Sequence, residues 1–192
     1  QPKIAGCNTQ HIIFTRVLPF LGRISMSKLT ALALSIAILG GVWAFLALGP
    51  LASMALVWVG FIAWGCYFAA GADNAALQKT IAGMIYGAVI AGVALYLVSS
   101  GMLGGLGALA APVIIAVTVF FLVIVAGQSL LSVVPANVYG YAATAGLALT
   151  AGTAGNTLAM DMTNPVLLVA VSTVLGAIFG MISGKVAGML GK

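Results

Sequence analysis

From Thr80 to Met160 the chain carries no Asp, Glu, Lys or Arg. No soluble fold tolerates so long an uncharged and largely apolar tract, because it offers nothing to hold a water-facing surface. Over the whole chain the charged share is 5% and the hydrophobic share 63%, against roughly 25% charged residues in an ordinary soluble domain. A polytopic membrane protein is the class that fits, with the lipid bilayer as its first partner. The net charge of +5 is spread over single, scattered residues. It forms no basic stripe, so the sequence points away from nucleic acid.

Apolar spans recur at a steady rhythm, which predicts an all-α architecture. They run Leu29–Leu48, Leu51–Ala70, Thr80–Val98, Ala108–Gly127, about Val133–Ala151, and Pro165–Ile182. Each is near the roughly 20 residues that cross a hydrocarbon core. Gly49-Pro50, Gly71 with Asp73-Asn74, the glycine-rich link Gly101–Gly107, and the polar stretch from Thr153 to Asn164 punctuate them. Six transmembrane helices are expected. With the N-terminus inside, residues 1–28, 72–79, 128–132 and 183–192 are internal, and all seven basic residues then lie on the cytoplasmic side. That is the positive-inside pattern, with both termini cytoplasmic.

Residues 1–25 differ in character. Lys3, Arg16 and Arg23 surround a short apolar run, and Met26-Ser27-Lys28 reads as a natural start. The expectation is an N-terminal extension or cytoplasmic arm, with a surface-lying helix as an alternative, followed by one transmembrane domain over 26–192. Within that domain, a shift of 75 residues lays Trp64, Gly65, Ala70 and Gly71 over Tyr139, Gly140, Ala145 and Gly146. Two three-helix units, about 28–100 and 107–186, would then be inverted repeats, a plan that places a pathway at the repeat interface. The plainer alternative is six helices packed through small residues without a path.

The most unusual stretch is Leu130–Gly146, where a proline, an asparagine and two tyrosines interrupt the apolar tract. Polar, proline-bearing backbone at membrane depth needs a packing or a functional reason. Pro135 is the helix-break candidate, freeing a carbonyl near Leu131 beside Gln128 and Ser132. Asn137 and Tyr141 share a face four residues apart, with Thr144 one turn on. They can bind a neutral solute or a neighbouring helix. In the second span Trp58, Phe61, Trp64, Tyr67 and Phe68 recur at spacings of three and four. That aromatic face suits either solute stacking or packing against lipid and helices. Gly83/Gly87 and Gly176/Gly180/Gly184 have the small-xxx-small spacing of tight helix contacts.

Nucleophile–base pairs, metal-ligand spacings and phosphate loops are absent from the sequence, so no enzyme, metal or cofactor is expected. The two acidic residues, Asp73 and Asp161, both fall in predicted loops, which leaves little material for proton-coupled transport. Two functions remain. One is a passive channel or facilitator for a small neutral solute, as a single chain or a homo-oligomer, with Trp64, Tyr67, Gln128, Asn137, Tyr141 and Thr144 as contacts. The other is a structural or accessory subunit that binds a partner protein or lipid through its aromatic helix.

Three short motifs add a resemblance: Gly41-Val42-Trp43; Trp58-Val59-Gly60-Phe61 with Tyr67-Phe68-Ala69; and Leu130-Leu131-Ser132-Val133-Val134-Pro135 with Gly140. From about Lys28 to Lys185 the chain resembles the YcdZ-type small bacterial inner-membrane proteins, a family of unknown function. The resemblance implies an inner-membrane location and carries over no reaction, substrate or catalytic residue.

Overall fold

A computed structural model describes residues 26–191; the expectations for residues 1–25 lie outside the described residues. Six α-helices follow one another: α1 (Lys28–Leu48), α2 (Val57–Ala69), α3 (Asn74–Ser99), α4 (Ala110–Ile124), α5 (Val134–Thr150) and α6 (Pro165–Leu190). Four stretches are long and apolar enough to cross a membrane: α1, α3, α6, and the run Gly104–Gly127 that contains α4.

Local chemistry sets the helix ends. Ser27 caps α1 by accepting from the Thr30 amide at 3.1 Å. Asp73 caps α3 through the Ala76 amide at 2.6 Å, and Asn164 caps α6 through the Val166 amide at 2.8 Å. Each side chain satisfies an amide that the first helical turn leaves free. Outside the helices, the Thr163 hydroxyl and amide both donate to Asp161 and hold its carboxyl below the usual range.

The second helix departs from its expected span, Leu51–Ala70. Residues Leu51–Met54 form turns, Leu56 is extended, and the α-helix covers only Val57–Ala69. The reason lies in two side-chain contacts at its start. The Leu56 amide donates to Ser172 Oγ at 2.8 Å instead of to a preceding carbonyl. The Trp43 indole donates to the Val57 carbonyl at 3.0 Å, and its ring occupies the space beside Gly60. Thirteen residues rise about 20 Å, short of a core of roughly 30 Å. The fifth helix, of 17 residues, is also short.

The helices alternate in direction. A bridge pairs Met26 with Gly191, so the start of α1 and the end of α6 meet at one end of the bundle. Lys28, Phe68, Ala72 and Gly188 line one hollow there, which puts the end of α2 at the same level. At the opposite end Tyr96, Thr157 and Asn164 share another hollow, and the Ser99 hydroxyl donates to the Ala154 carbonyl at 3.5 Å.

The most extensive packing pairs α3 with α5 and α2 with α6, then α1 with α6, α3 with α6, and α3 with α4. Exchanging α1, α2, α3 for α4, α5, α6 maps each of these contacts onto another in the set. Burial follows the same exchange. Val59, Gly60, Ala63, Cys66 and Tyr67 of α2 are buried, and so are Ala136, Asn137, Gly140, Ala143 and Thr144 of α5, in the same order and spacing; buried Trp64 and Ala148 fall outside the match, standing against half-buried Tyr141 and exposed Gly71. These buried positions of α2 and α5 are 77 residues apart, whereas the sequence comparison lays the two helices over each other at 75. At 75, Gly65 would lie over Gly140. A Cβ on Gly65 would meet nothing, whereas one on Gly140 would run into the Met84 carbonyl.

A second correspondence joins α3 and α6. Thr80-Ile-Ala-Gly-Met-Ile-Tyr-Gly87 is echoed by Thr173-Val-Leu-Gly-Ala-Ile-Phe-Gly180. Both threonines are fully buried. Gly83 and Gly87 admit the backbone of α5 at Asn137, while Gly176 admits that of α2 at Gly60. Missing side chains here allow backbone-to-backbone approach, as small-xxx-small spacing requires.

Candidate functional site

The interruption foreseen near Pro135 lies just before it. Pro135 stands in the first turn of α5, where a proline loses no helical hydrogen bond. The irregular segment runs from the single turn Val125–Gly127 through Ser129–Leu131 to Val133. Carbonyls in such a segment need partners, and Asn137 supplies them. Its Nδ2 donates to the Leu131 carbonyl at 3.1 Å and the Leu122 carbonyl at 3.3 Å. The side chain is fully buried, and its Oδ1 has no hydrogen-bond partner. One residue thus ties the end of α4, the irregular link and the start of α5 together.

Tyr141 and Thr118 join their hydroxyls at 3.1 Å between α5 and α4. Thr144 is fully buried and its Oγ1 has no partner. Gln128 lies in the exposed link, away from these buried groups.

On the other side of the bundle, Trp64 and Tyr67 are 2% exposed. They pack on α6 around Gly180, where an added Cβ would sit 3.1 Å from each ring. Trp64 also stacks on Phe61, with ring centroids 5.7 Å apart, and Phe179 lies 6.1 Å away. The Tyr67 hydroxyl donates to the Ala72 carbonyl at 2.6 Å, while Trp64 Nε1 is buried without a partner. The aromatic face is therefore divided. Trp64 and Tyr67 turn inward, and Trp58 and Phe61 remain more than two-fifths exposed. Between α2 and α5, a groove of about 330 Å³ is lined by Phe61, Ile62, Gly65, Cys66, Ala69 and Tyr139.

The structure brings Asn137, Tyr141 and Thr144 together on α5 and pairs Trp64 with Tyr67 on α2. Sequence reasoning missed the two buried threonines of α3 and α6. Their signal was present in the repeated Thr-x-x-Gly-x-x-x-Gly spacing. Thr80 Oγ1 donates to Cys66 Sγ at 3.8 Å, whereas Thr173 Oγ1 has no partner. At the 77-residue register the position matching Cys66 is Ala143, which offers no acceptor. Replacing Thr173 by Val is therefore expected to leave stability unchanged or raise it by up to about 1 kcal/mol. Thr80→Val is expected to lower it by a similar amount, since it breaks a formed bond. Thermal unfolding of the two purified variants in detergent checks this.

Residues 33–188 match a family described as proteins of unknown function, DUF1097. The chain belongs to that family. The DUF1097 match covers the apolar helices and starts within α1, in keeping with the expectation of an uncharacterised family over that stretch. No curated protein and no solved structure matches the chain. Among the described residues of this DUF1097 protein, no three His, Cys, Asp or Glu side chains come together as a metal site would need.

Proposed function

We propose that this DUF1097 protein is a six-span inner-membrane facilitator that passes a small neutral solute between two inverted three-helix repeats. The observation that carries the reading is a set of four buried polar atoms without partners: Trp64 Nε1, Asn137 Oδ1, Thr144 Oγ1 and Thr173 Oγ1. Distributed over α2, α5 and α6, they are a donor, an acceptor and two hydroxyls that serve as either. Buried polar groups are normally paired, so unpaired ones favour a polar occupant such as water or a small amide or polyol. The reading assigns no catalysis and no cofactor.

The inverted repeat is supported by the way exchange of the two helix triplets maps packing onto packing and burial onto burial. The adjacency of Met26 and Gly191 supports an even number of crossings. Lys28, Lys79 and Lys185 stand toward that same end, which favours a cytoplasmic location for both termini. The YcdZ-type resemblance agrees with an inner-membrane setting.

Reconstituted into liposomes, the protein is expected to raise the flux of at least one of water, ammonia, a small amide or a polyol. Thr144→Val is expected to reduce that flux five- to tenfold, the equivalent of one hydrogen bond of roughly 1–1.4 kcal/mol. Flux equal to that of empty liposomes for every solute would sink the reading.

A second reading has its own support. The Asn137 amide and the Tyr141 hydroxyl are engaged between helices, and Trp58 and Phe61 face outward. A structural subunit that binds a partner protein or lipid through α2 would show both features. It predicts no flux, and weaker partner or lipid binding when Trp58 and Phe61 become Ala.

A further inference from the structure

The geometry points to rigid bodies that are not the two sequence halves. They are two interleaved lobes, α1·α2·α6 and α3·α4·α5, which rock against each other to open the seam between them. The motion is offered as the working cycle of the facilitator proposed above and rests on that reading. The division into lobes rests on packing alone.

Contacts within each lobe are of the kind that resists sliding. In the first, Gly60 of α2 meets Gly176 of α6 backbone to backbone. The Ser35 hydroxyl of α1 donates to the Ser183 carbonyl of α6 at 2.8 Å. Trp43 of α1 lies 5.5 Å from Phe179 of α6, ring centre to ring centre. In the second lobe, Gly87 and Gly140 bring the backbones of α3 and α5 together. The Asn137 amide holds the end of α4, and the Tyr86 hydroxyl of α3 donates to the Phe121 carbonyl of α4 at 3.0 Å.

The seam is built differently. Its buried cluster draws on α2, α3, α5 and α6; Ala63, Ala88, Ala136, Ala143 and Ala177 stand there with Cys66 and the larger Val59, Met84 and Val169. Small side chains interlock weakly and lose little when they part. Two clefts already interrupt it. One is the groove between α2 and α5, and the other, about 240 Å³, runs past Gly92 and Tyr96 of α3 to Asn164 and Val166 of α6. Among the described residues, the long Thr80–Cys66 contact is the one side-chain hydrogen bond between helices that crosses from lobe to lobe. Small-residue contact at a seam flanked by rigidly crossed helix pairs is a geometry that allows one body to tilt on another.

Spin-label distances on the full chain in liposomes separate the alternatives. In a Cys7→Ser, Cys66→Ala background, labels are placed in pairs at exposed helix positions. Phe45/Leu167 joins α1 to α6, Val98/Leu149 joins α3 to α5, and Phe45/Val98 joins α1 to α3. The lobes predict one narrow distance for each of the first two pairs and a broad or two-peaked distribution for the third. Sequence halves moving as units predict the reverse. Either that reverse pattern or three equally narrow distributions overturns the proposal.

Function is tested by Gly92→Cys with Val166→Cys. A Cβ built on Gly92 lies 4.0 Å from that of Val166, within disulfide range. Oxidation, which ties the lobes together, is expected to cut flux about tenfold, with recovery on reduction. Unchanged flux in the oxidised protein overturns the rocking cycle. A lobe pattern in the distances with no flux in any variant leaves the lobes standing and removes the facilitator reading.

Discussion

Gly140→Val is expected to prevent accumulation of folded protein, the most severe effect of any single change considered for this chain. A Cβ at Gly140 would run into the Met84 carbonyl, and one at Gly87 into the Asn137 carbonyl across the same crossing. Neither obstacle is a flexible side chain, so α3 and α5 must separate along their whole contact. Overpacking ordinarily costs about 1–3 kcal/mol, and a backbone obstacle lies at or beyond the top of that range. A membrane domain of ordinary stability, roughly 5–15 kcal/mol, loses much of its margin. Gly65→Ala is the matched control, because its Cβ would meet nothing. It is expected to leave stability the same or slightly higher, since alanine favours the helix by about 1 kcal/mol. Yield and monodispersity in detergent read the first outcome, and thermal unfolding reads the second. A well-folded Gly140→Val protein would contradict the α3–α5 crossing described above.

Asn137→Leu carries the second-largest expected effect. Leucine is close in volume but leaves the Leu131 and Leu122 carbonyls without the donor they now share. An unpaired buried polar group costs about 1–3 kcal/mol, so the change should cost roughly 2–5 kcal/mol. Loss of the unpaired Oδ1 returns a little of this. Asn137→Gln keeps the amide but moves it one methylene outward, and should recover only part. The measurement is the unfolding midpoint of Asn137→Leu and Asn137→Gln beside the unaltered protein. Equal midpoints would mean that the irregular link from Val125 to Val133 does not depend on this side chain. The link's own accessibility, followed with a cysteine at Ser132, should rise in Asn137→Leu because the chain there loses its anchor.

The all-helical, membrane-like character was legible because it follows from composition and period. The tract without charge could not become anything else, and most helix ends fall at the polar or glycine punctuation. The short α2 was not legible. Leu51–Leu56 is as apolar as a helix, and what denies it helical bonds is Ser172, more than a hundred residues away. The burial pattern shared by α2 and α5 was also hidden. Their matching positions share burial and not residue type: Gly60 stands against Asn137, and Tyr67 against Thr144. Residue-by-residue comparison instead lays Gly65 over Gly140, at a shift of 75. The Thr80–Gly87 and Thr173–Gly180 segments carried the clearer signal, since close backbone approach constrains residue identity at both. At the candidate site, Asn137, Tyr141 and Thr144 were legible as a polar face. Which of their atoms would be used by neighbouring helices and which left free was not, because that depends on where distant carbonyls such as Leu122 arrive.

The interleaving of the lobes also sets an order of events while the chain is being made. Helices α3, α4 and α5 are consecutive, so their lobe can close as soon as α5 leaves the ribosome. The other lobe cannot. Helices α1 and α2 emerge before the other four described helices, yet both pack chiefly on α6, the last of the six. Until then the surface of Trp64 and Trp43 that will meet Phe179 has no partner. Of the two lobes, the one whose helices begin to emerge earlier is therefore finished later. For that interval its exposed aromatic face is the part of the chain most open to mispairing, to lipid and to whatever assists membrane insertion.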